Sequence, residues 1–560
     1  MSISKSQTEK IGPIFNGNRF IIPSYQRKYS WTGNERNALW QDIKESLNSN
    51  MNHFVGTLTF KENKPVGLLT DTLYEIIDGQ QRVTTLFILL SVLIDKLPEG
   101  GIKTNQRNVF IGTFDNLKLR PQGEDEEFLK QLIFDFSNID FSKINKRSQK
   151  FMYAAKQDFA ALVNPLSMQQ VEKTIIFIRD SIEVLVFNVE NQAQAVKMFS
   201  IINDRGLSLN ILDKTKSFLM LYSTLHLKEK LNNLINNSFE KIFDSYDDLL
   251  VWKDKLGILG RLEENTIFTH HYYSSKRLFP ETWNSRDGAD TVFKNLKLKC
   301  EQLKDNATEL ENFITDYLID FTDFAVKYTN LVKEVETKSI YQKPFQFLDF
   351  TATLYPLLVR LYMKGKLDAL LNLLEATEVR VYKLKGTNPS ADMYRLSSDV
   401  TKENMSIDDI RQRLITFNEE FMNNHNMKNN LELDVYQNGA VKYILSEYNN
   451  DNPNIDSYKD WQVEHIFSKD PDFEPSSYGF GDDYNYEKNR LGNLGLLEGG
   501  INKGISNSAP INKVAGYLKS SVSDTRNLAG EIQLGNFTKN NVDSRREKII
   551  DFCLTRFKVN

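Results

Sequence analysis

Two short runs near the N-terminus, FVGTLTF (54–60) and LYEII (73–77), are rich in β-branched and aromatic residues and have strand length. Asp78-Gly79 then supplies a turn. From Gln80 the pattern lengthens into an apolar run, 83–97, of helical length. Thr84, Thr85, Ser91 and Asp95 interrupt that run. It falls short of the ~20 apolar residues a membrane span needs, so it predicts a buried helix. From about 120 to 450 the periodicity is mostly helical. Residues 207–222 are a clear instance, with Asn210 placed to cap and Asp213 three residues on. Leu/Phe/Lys stretches around 225–250, 290–335 and 345–375 repeat it. The polar stretch 448–457 (YNNDNPNIDS) predicts a linker or exposed loop. Beyond it, WQVEHIFS (461–468) and NRLGNLGLL (489–497) are strand-like, and GINKGISN (500–507) opens a helix.

These elements predict an α+β multidomain chain. An α/β domain covers 1–220, a mostly helical middle 221–450, and a C-terminal domain 451–560. The 560 residues, 40% hydrophobic and 11% aromatic, suffice for about three or four compact units. The two cysteines, Cys300 and Cys553, form no CxxC, which argues against a disulfide framework or a cysteine zinc site and fits a reducing cytoplasm. The first residues carry no signal-like apolar core. The net charge of -4 excludes a uniformly basic surface but not a local basic face. Residues 451–500 hold eleven acids against four Lys/Arg, and 501–560 ten Lys/Arg against five acids. That asymmetry fits a metal-site neighbourhood followed by a phosphate-binding tail, and equally two ordinary surface helices.

The C-terminal pattern carries the clearest chemistry. Strand alternation puts Val463 and His465 on one side, Glu464 and Ile466 on the other. Two strands and a helix, with polar residues concentrated where they meet, is the arrangement a ββα-metal (HNH) nuclease requires. Phosphodiester hydrolysis needs an attacking water, a base, and a cation for the developing charge. A neutral imidazole suits the base near pH 7. Glu and Asn oxygens suit Mg²⁺ or Mn²⁺ better than zinc. Glu464-His465, Asn493 and Asn502 nine residues later resemble the HNH domain of CRISPR effector nucleases, and more closely the C-terminal nuclease domain of GmrSD-type restriction enzymes. The resemblance implies His465 as general base and Glu464 and Asn502 as metal ligands. It also implies Asn493 as a brace for the loop carrying the base, and Lys503 and Lys513 as phosphate contacts. Asn502 stands where a zinc-type centre has histidine, which favours Mg²⁺.

Three further segments stand out: IPSYQRKYSW (22–31), IIDGQQRVTTL (76–86) and FSIINDRGLSLNILDKTK (199–216). A helix opening after Gly79 presents amides that attract anions. Arg82 in its first turn opposes the helix dipole unless an anion sits there. Arg27 and Arg205 are candidates for the same anion. The plain alternative is a local Asp78–Arg82 ion pair, with Gly79 only making the turn. No Walker A sequence is present. The three segments, in this order, resemble the ParB/sulfiredoxin-like DGQQR domain of GmrSD, BrxU and SspE antiphage proteins. That resemblance implies binding and hydrolysis of a nucleoside triphosphate at Gln26, Arg27, Asp78, Gly79, Gln80, Gln81 and Arg82, with Asn203, Asp204 and Arg205 contributing. It also implies modified phage DNA as the target.

The resulting expectation is an NTP-regulated, modification-dependent endonuclease of antiphage defence, cytoplasmic, with no membrane association. The direction of nucleotide control stays open. One HNH site cuts one strand at a time, so a double-strand break needs a homodimer or two encounters. Trp252, His270, His271, Tyr272, Tyr273 and Trp283 are either walls for a flipped base or core. The competing readings are an NTP-hydrolysing DNA-binding regulator with an inactive nuclease domain, and a non-enzymatic DNA-binding protein.

Overall fold

The computed structural model describes residues 7–23, 26–63, 71–121, 123, 125–144, 146–189, 210–260, 262–401, 405–505, 507–535 and 537–559. The chain divides into two compact units: Met1–Val251 with Ala289–Val326, and Trp252–Gly288 with Lys327–Asn560. Strands lie in a sheet within Gln7–Val189 and in a hairpin within Trp461–Glu498, and the elements described between them are helical, so the chain is of mixed α and β structure.

The first unit is built on a six-stranded mixed sheet. Its strands are β1 (Gln7–Lys10), β2 (Asn18–Ile22), β3 (His53–Asn63), β4 (Thr72–Asp78), β5 (Leu119–Pro121) and β6 (Ile182–Val189), in spatial order β1-β6-β3-β4-β2-β5. β3 runs antiparallel to β4, with a register shift between Thr59 and Phe60, and parallel to β6. The expected strand–turn–helix is present. β4 ends at Asp78, Gly79 takes φ 93°, and a helix follows at once over Gln80–Asp95. Glycine is needed there twice over. The backbone is left-handed, and a Cβ would lie 2.3 Å from Leu58 Cδ2 on β3. The helix is buried on nearly every side from Val83 to Ile94, because further helices, Gly101–Phe110, Arg147–Val163 and Met168–Ser181, pack around it. Asn210 caps the helix Ile211–Leu227, its side chain accepting from Asp213 N at 3.0 Å.

The second unit is predominantly helical. Two π-helical segments, Lys343–Leu348 and Glu378–Leu384, have no periodicity that marks them in the sequence. In the expected linker or exposed loop at 448–457, residues 450–454 are non-helical, while Val441–Asn449 runs into its start and Ile455–Asp460 takes up its end. Asp451 between them caps Ser523 N at 2.8 Å, so the short connection is tied down. Near the C-terminus β7 (Trp461–His465) pairs antiparallel with β8 (Leu494–Glu498), Glu464 opposite Gly495 and His465 opposite Leu494. The helix Gly499–Ile505 follows β8 directly. Ile466, Phe467, Leu497, Val514, Tyr517 and Leu528 form a core beside the hairpin. No described helix is long and apolar enough to cross a membrane.

Candidate functional site

The β7–β8 hairpin positions the C-terminal candidates. His465 closes β7 and is buried. Its Nε2 lies 3.0 Å from Asn489 Oδ1, and its ring packs on Tyr436 at 4.3 Å between centroids. Burial lowers its pKa, the Asn489 hydrogen bond opposes this, and Lys513, Lys469 and Lys488 lower it further. Asn493 is fully buried and ties three strands of chain together. Its Oδ1 accepts from Phe467 N at 2.8 Å, and its Nδ2 donates to Phe467 O at 2.9 Å and Lys488 O at 2.8 Å. Its own carbonyl accepts from Ile466 N at 2.9 Å. The two residues after His465 are thereby clamped.

Glu464 points to the other side of β7. Its Oε1 accepts from Lys513 Nζ at 2.7 Å and from Tyr517 OH at 3.1 Å. Lys513 also donates to His465 O at 2.7 Å and is almost wholly buried. Lys513 is therefore an internal partner of Glu464, and the expectation of a phosphate contact there is corrected. Burial lowers the Lys513 pKa, and Glu464 opposes the shift. Asn502 Nδ2 donates to Gln462 Oε1 at 3.0 Å, on the Glu464 side of β7. Lys503 is exposed. Among the described residues, no hydrogen bond or ion pair joins Asn502 or Lys503 to Glu464 or His465.

Three side chains at this site escape sequence reasoning: Asn489, Asp434 and Tyr436. Asn489 Nδ2 donates to Asp434 Oδ2 at 2.9 Å. Asp434 and Tyr436 precede residue 451, so the expected domain boundary falls between residues that surround one imidazole. The expected basic tail divides. Lys513, Lys539, Arg545, Arg546 and Arg556 are ion-paired with Glu464, Asp543, Asp524, Asp543 and the Glu375/Glu447 pair, while Lys503, Lys519, Arg526, Lys548 and Lys558 are exposed.

In the first unit the helix Gln80–Asp95 opens onto a pocket of about 210 Å³. Gln26, Arg27, Gln80 and Gln81 line it, with Lys28, Lys146, Asp125, Glu240 and Asp244, which sequence reasoning missed. The glutamines build the wall. Gln81 accepts from Ser30 N at 2.9 Å and donates to Lys28 O at 3.0 Å, while Gln26 donates to Ile77 O at 3.1 Å. Arg27 lies 3.7 Å from Asp213, and Lys28 lies 2.6 Å from Asp244. Burial raises the pKa of Asp213, with Arg27 and Lys216 opposing, and pushes Lys216 down to about 7. Asp78, Gly79 and Arg82 do not line the pocket. Arg82 crosses β3 at Gly56, donating to Val55 O at 3.2 Å, and lies 3.5 Å from Asp78. This is the local pairing left open above. Burial raises the Asp78 pKa, Arg82 opposes and Asp213 adds to it. Asn203, Asp204 and Arg205 lie outside the described residues.

Of the six aromatic candidates, His270, His271 and Tyr272 are buried, and Trp252, Tyr273 and Trp283 are half-buried. Tyr272 is buried, donating to Thr282 O at 3.1 Å and Asp287 at 2.8 Å. Trp283 Nε1 donates to Tyr272 O at 3.0 Å, and Tyr273 stacks on Tyr394 at 4.2 Å.

A sheet-based N-terminal unit with a charged pocket, and a C-terminal hairpin carrying Glu-His and two asparagines, place the protein among restriction-type nucleases once set beside known families. The GmrSD restriction endonuclease N-terminal domain matches residues 11–220, and the C-terminal domain of GmrSD restriction endonucleases matches residues 416–552. The chain belongs to the GmrSD restriction endonucleases, and DNA is its partner. No curated protein matches it.

Proposed function

We propose that this restriction endonuclease cuts modified phage DNA through an HNH-type, Mg²⁺- or Mn²⁺-dependent site under the control of a nucleoside triphosphate. The observation that carries the reading is the hairpin itself. Consecutive residues Glu464 and His465 end β7, and the helix bearing Asn502 and Lys503 leaves β8 without a connecting loop. His465 takes the proton of the attacking water, and Asn493 keeps the following loop rigid. Lys503, exposed, contacts phosphate. The donor set fits a hard cation. Glu464 Oε2 and Asn502 Oδ1 accept no hydrogen bond among the described residues, and both are oxygens. Such an ion keeps several waters, so few protein ligands suffice. When bound it stabilises the charge that develops on the phosphate.

In the first unit, a ParB/sulfiredoxin-like DGQQR domain by the same reading, Arg27, Lys28 and Lys146 would exchange their internal partners for a triphosphate. Both unpaired cysteines, Cys300 and Cys553, suit a cytoplasmic enzyme. The test is incubation of plasmid and modified phage DNA with Mg²⁺, with and without NTP, comparing wild type with His465→Ala and Arg27→Met. Loss of cleavage in His465→Ala, and loss of the nucleotide effect alone in Arg27→Met, are expected. Equal DNA breakdown by wild type and His465→Ala would overturn the nuclease assignment.

A further inference from the structure

We infer that Asn489 is a positioning residue for His465, itself oriented by Asp434, and that this chain fixes which imidazole nitrogen acts. The inference rests on His465 being the general base. A carboxylate only accepts hydrogen bonds, so the Asn489 group facing Asp434 Oδ2 at 2.9 Å must be its NH₂. That leaves the amide oxygen toward His465 at 3.0 Å. An amide oxygen also only accepts, so the ring nitrogen it faces, Nε2, must carry the hydrogen. In the neutral ring the lone pair then sits on Nδ1, which becomes the atom that takes a proton from water. The amide supplies this direction without placing a negative charge against the ring.

The segment that delivers Asp434 is held on both sides of the contact. Asp434 bridges Arg490 in antiparallel fashion, Val435 N donates to Asn489 O at 3.3 Å, and Arg490 Nε donates to Glu432 O at 2.8 Å. Tyr436, two residues on, packs its ring on His465. One short stretch of chain thus orients the amide and backs the imidazole. Positions that orient a working histidine typically matter 10–100-fold.

The test uses the full chain and two readouts. Long-range ¹H–¹⁵N spectra of ¹⁵N-histidine protein, with His465 assigned from the spectrum of His465→Ala, report the tautomer in the absence of DNA. Cleavage kinetics with Mg²⁺ give kcat and KM for wild type, Asn489→Leu, Asn489→Asp and Asp434→Leu. The Nε2–H tautomer is expected in wild type, and a mixture in Asn489→Leu. Asn489→Leu should lose about 10–100-fold in kcat with little change in KM, and Asn489→Asp, which keeps an acceptor, should recover part of it. An Nδ1–H tautomer in wild type overturns the inference even if no Asn489 or Asp434 variant folds. So does wild-type kcat in Asn489→Leu alongside a dead His465→Ala, which leaves the base assignment standing. Wild-type cleavage by His465→Ala removes the base assignment itself, while the spectra still show whether Asn489 sets the tautomer.

Discussion

Replacing Lys513 by methionine separates a buried partner from a phosphate contact. The ammonium sits 2.7 Å from both Glu464 Oε1 and His465 O, with side-chain exposures of 1% for Lys513 and 10% for Glu464. Methionine matches the stem in volume, so packing changes little. What is lost is the charge, which leaves the Glu464 carboxylate in a largely dry site with only Tyr517 OH at 3.1 Å. Breaking a buried pair in this way costs about 3–5 kcal/mol. Adding Glu464→Gln to Lys513→Met removes the stranded charge, and the double variant should be less destabilised than Lys513→Met alone, with a coupling of roughly 2 kcal/mol. In so long a chain the local readout is hydrogen exchange of the β7 and β8 amides, which report opening of the hairpin. A loss of about 3 kcal/mol appears there as exchange faster by roughly 100-fold. If Lys513→Met leaves hairpin exchange within twofold of wild type and instead weakens DNA binding, the buried-pair reasoning is refuted.

Two further outcomes follow from packing and burial, and a third from the pocket. Gly492→Ala would place a Cβ 2.1 Å from Val542 O and 3.0 Å from Arg546 N, both backbone atoms of the helix Lys539–Arg556. It should destabilise the C-terminal unit by about 3 kcal/mol, read as a lower urea midpoint. His270 is buried, hydrogen-bonded to Tyr328 OH at 3.3 Å, and burial pushes its pKa down to about 3. The unfolded chain takes up that proton near pH 6.5. The folded state therefore loses about 1.4 kcal/mol per pH unit from 6.5 down toward 3, and His270→Asn should flatten the fall in stability measured between pH 6.5 and 5. Arg27→Met should weaken nucleotide binding by calorimetry at least tenfold, about 1.4 kcal/mol, and unchanged affinity would remove the pocket assignment.

Legibility in the sequence tracks how local each feature is. The β4–Gly79–helix turn, the Asn210 cap and the β7–β8–helix order depend on residues a few positions apart, and each is written in turn chemistry and periodicity. The candidates His465, Glu464, Asn493 and Asn502 lie on or beside those elements, and their roles are what the family resemblance implies. The stretch 448–457 was legible only in part, its middle at 450–454 being non-helical and its two ends helical. Its polar composition describes a surface, and a half-exposed helix such as Ile455–Asp460 shares it.

The sequence by itself determined the strand–turn–helix at Gly79, the Asn210 cap, the order of β7, β8 and the following helix, and the family. Only the tertiary structure decided what the candidate side chains touch. Lys513 became the partner of Glu464 across 49 residues, Asp434 and Asn489 became the support of His465, Asp244 met Lys28, and Arg545 and Arg556 of the basic tail paired with acids elsewhere in the chain. Backbone conformation is set by near neighbours, whereas the partner of a charged or polar side chain is set by which distant segments exclude water around it, and that exclusion leaves no mark on the local pattern.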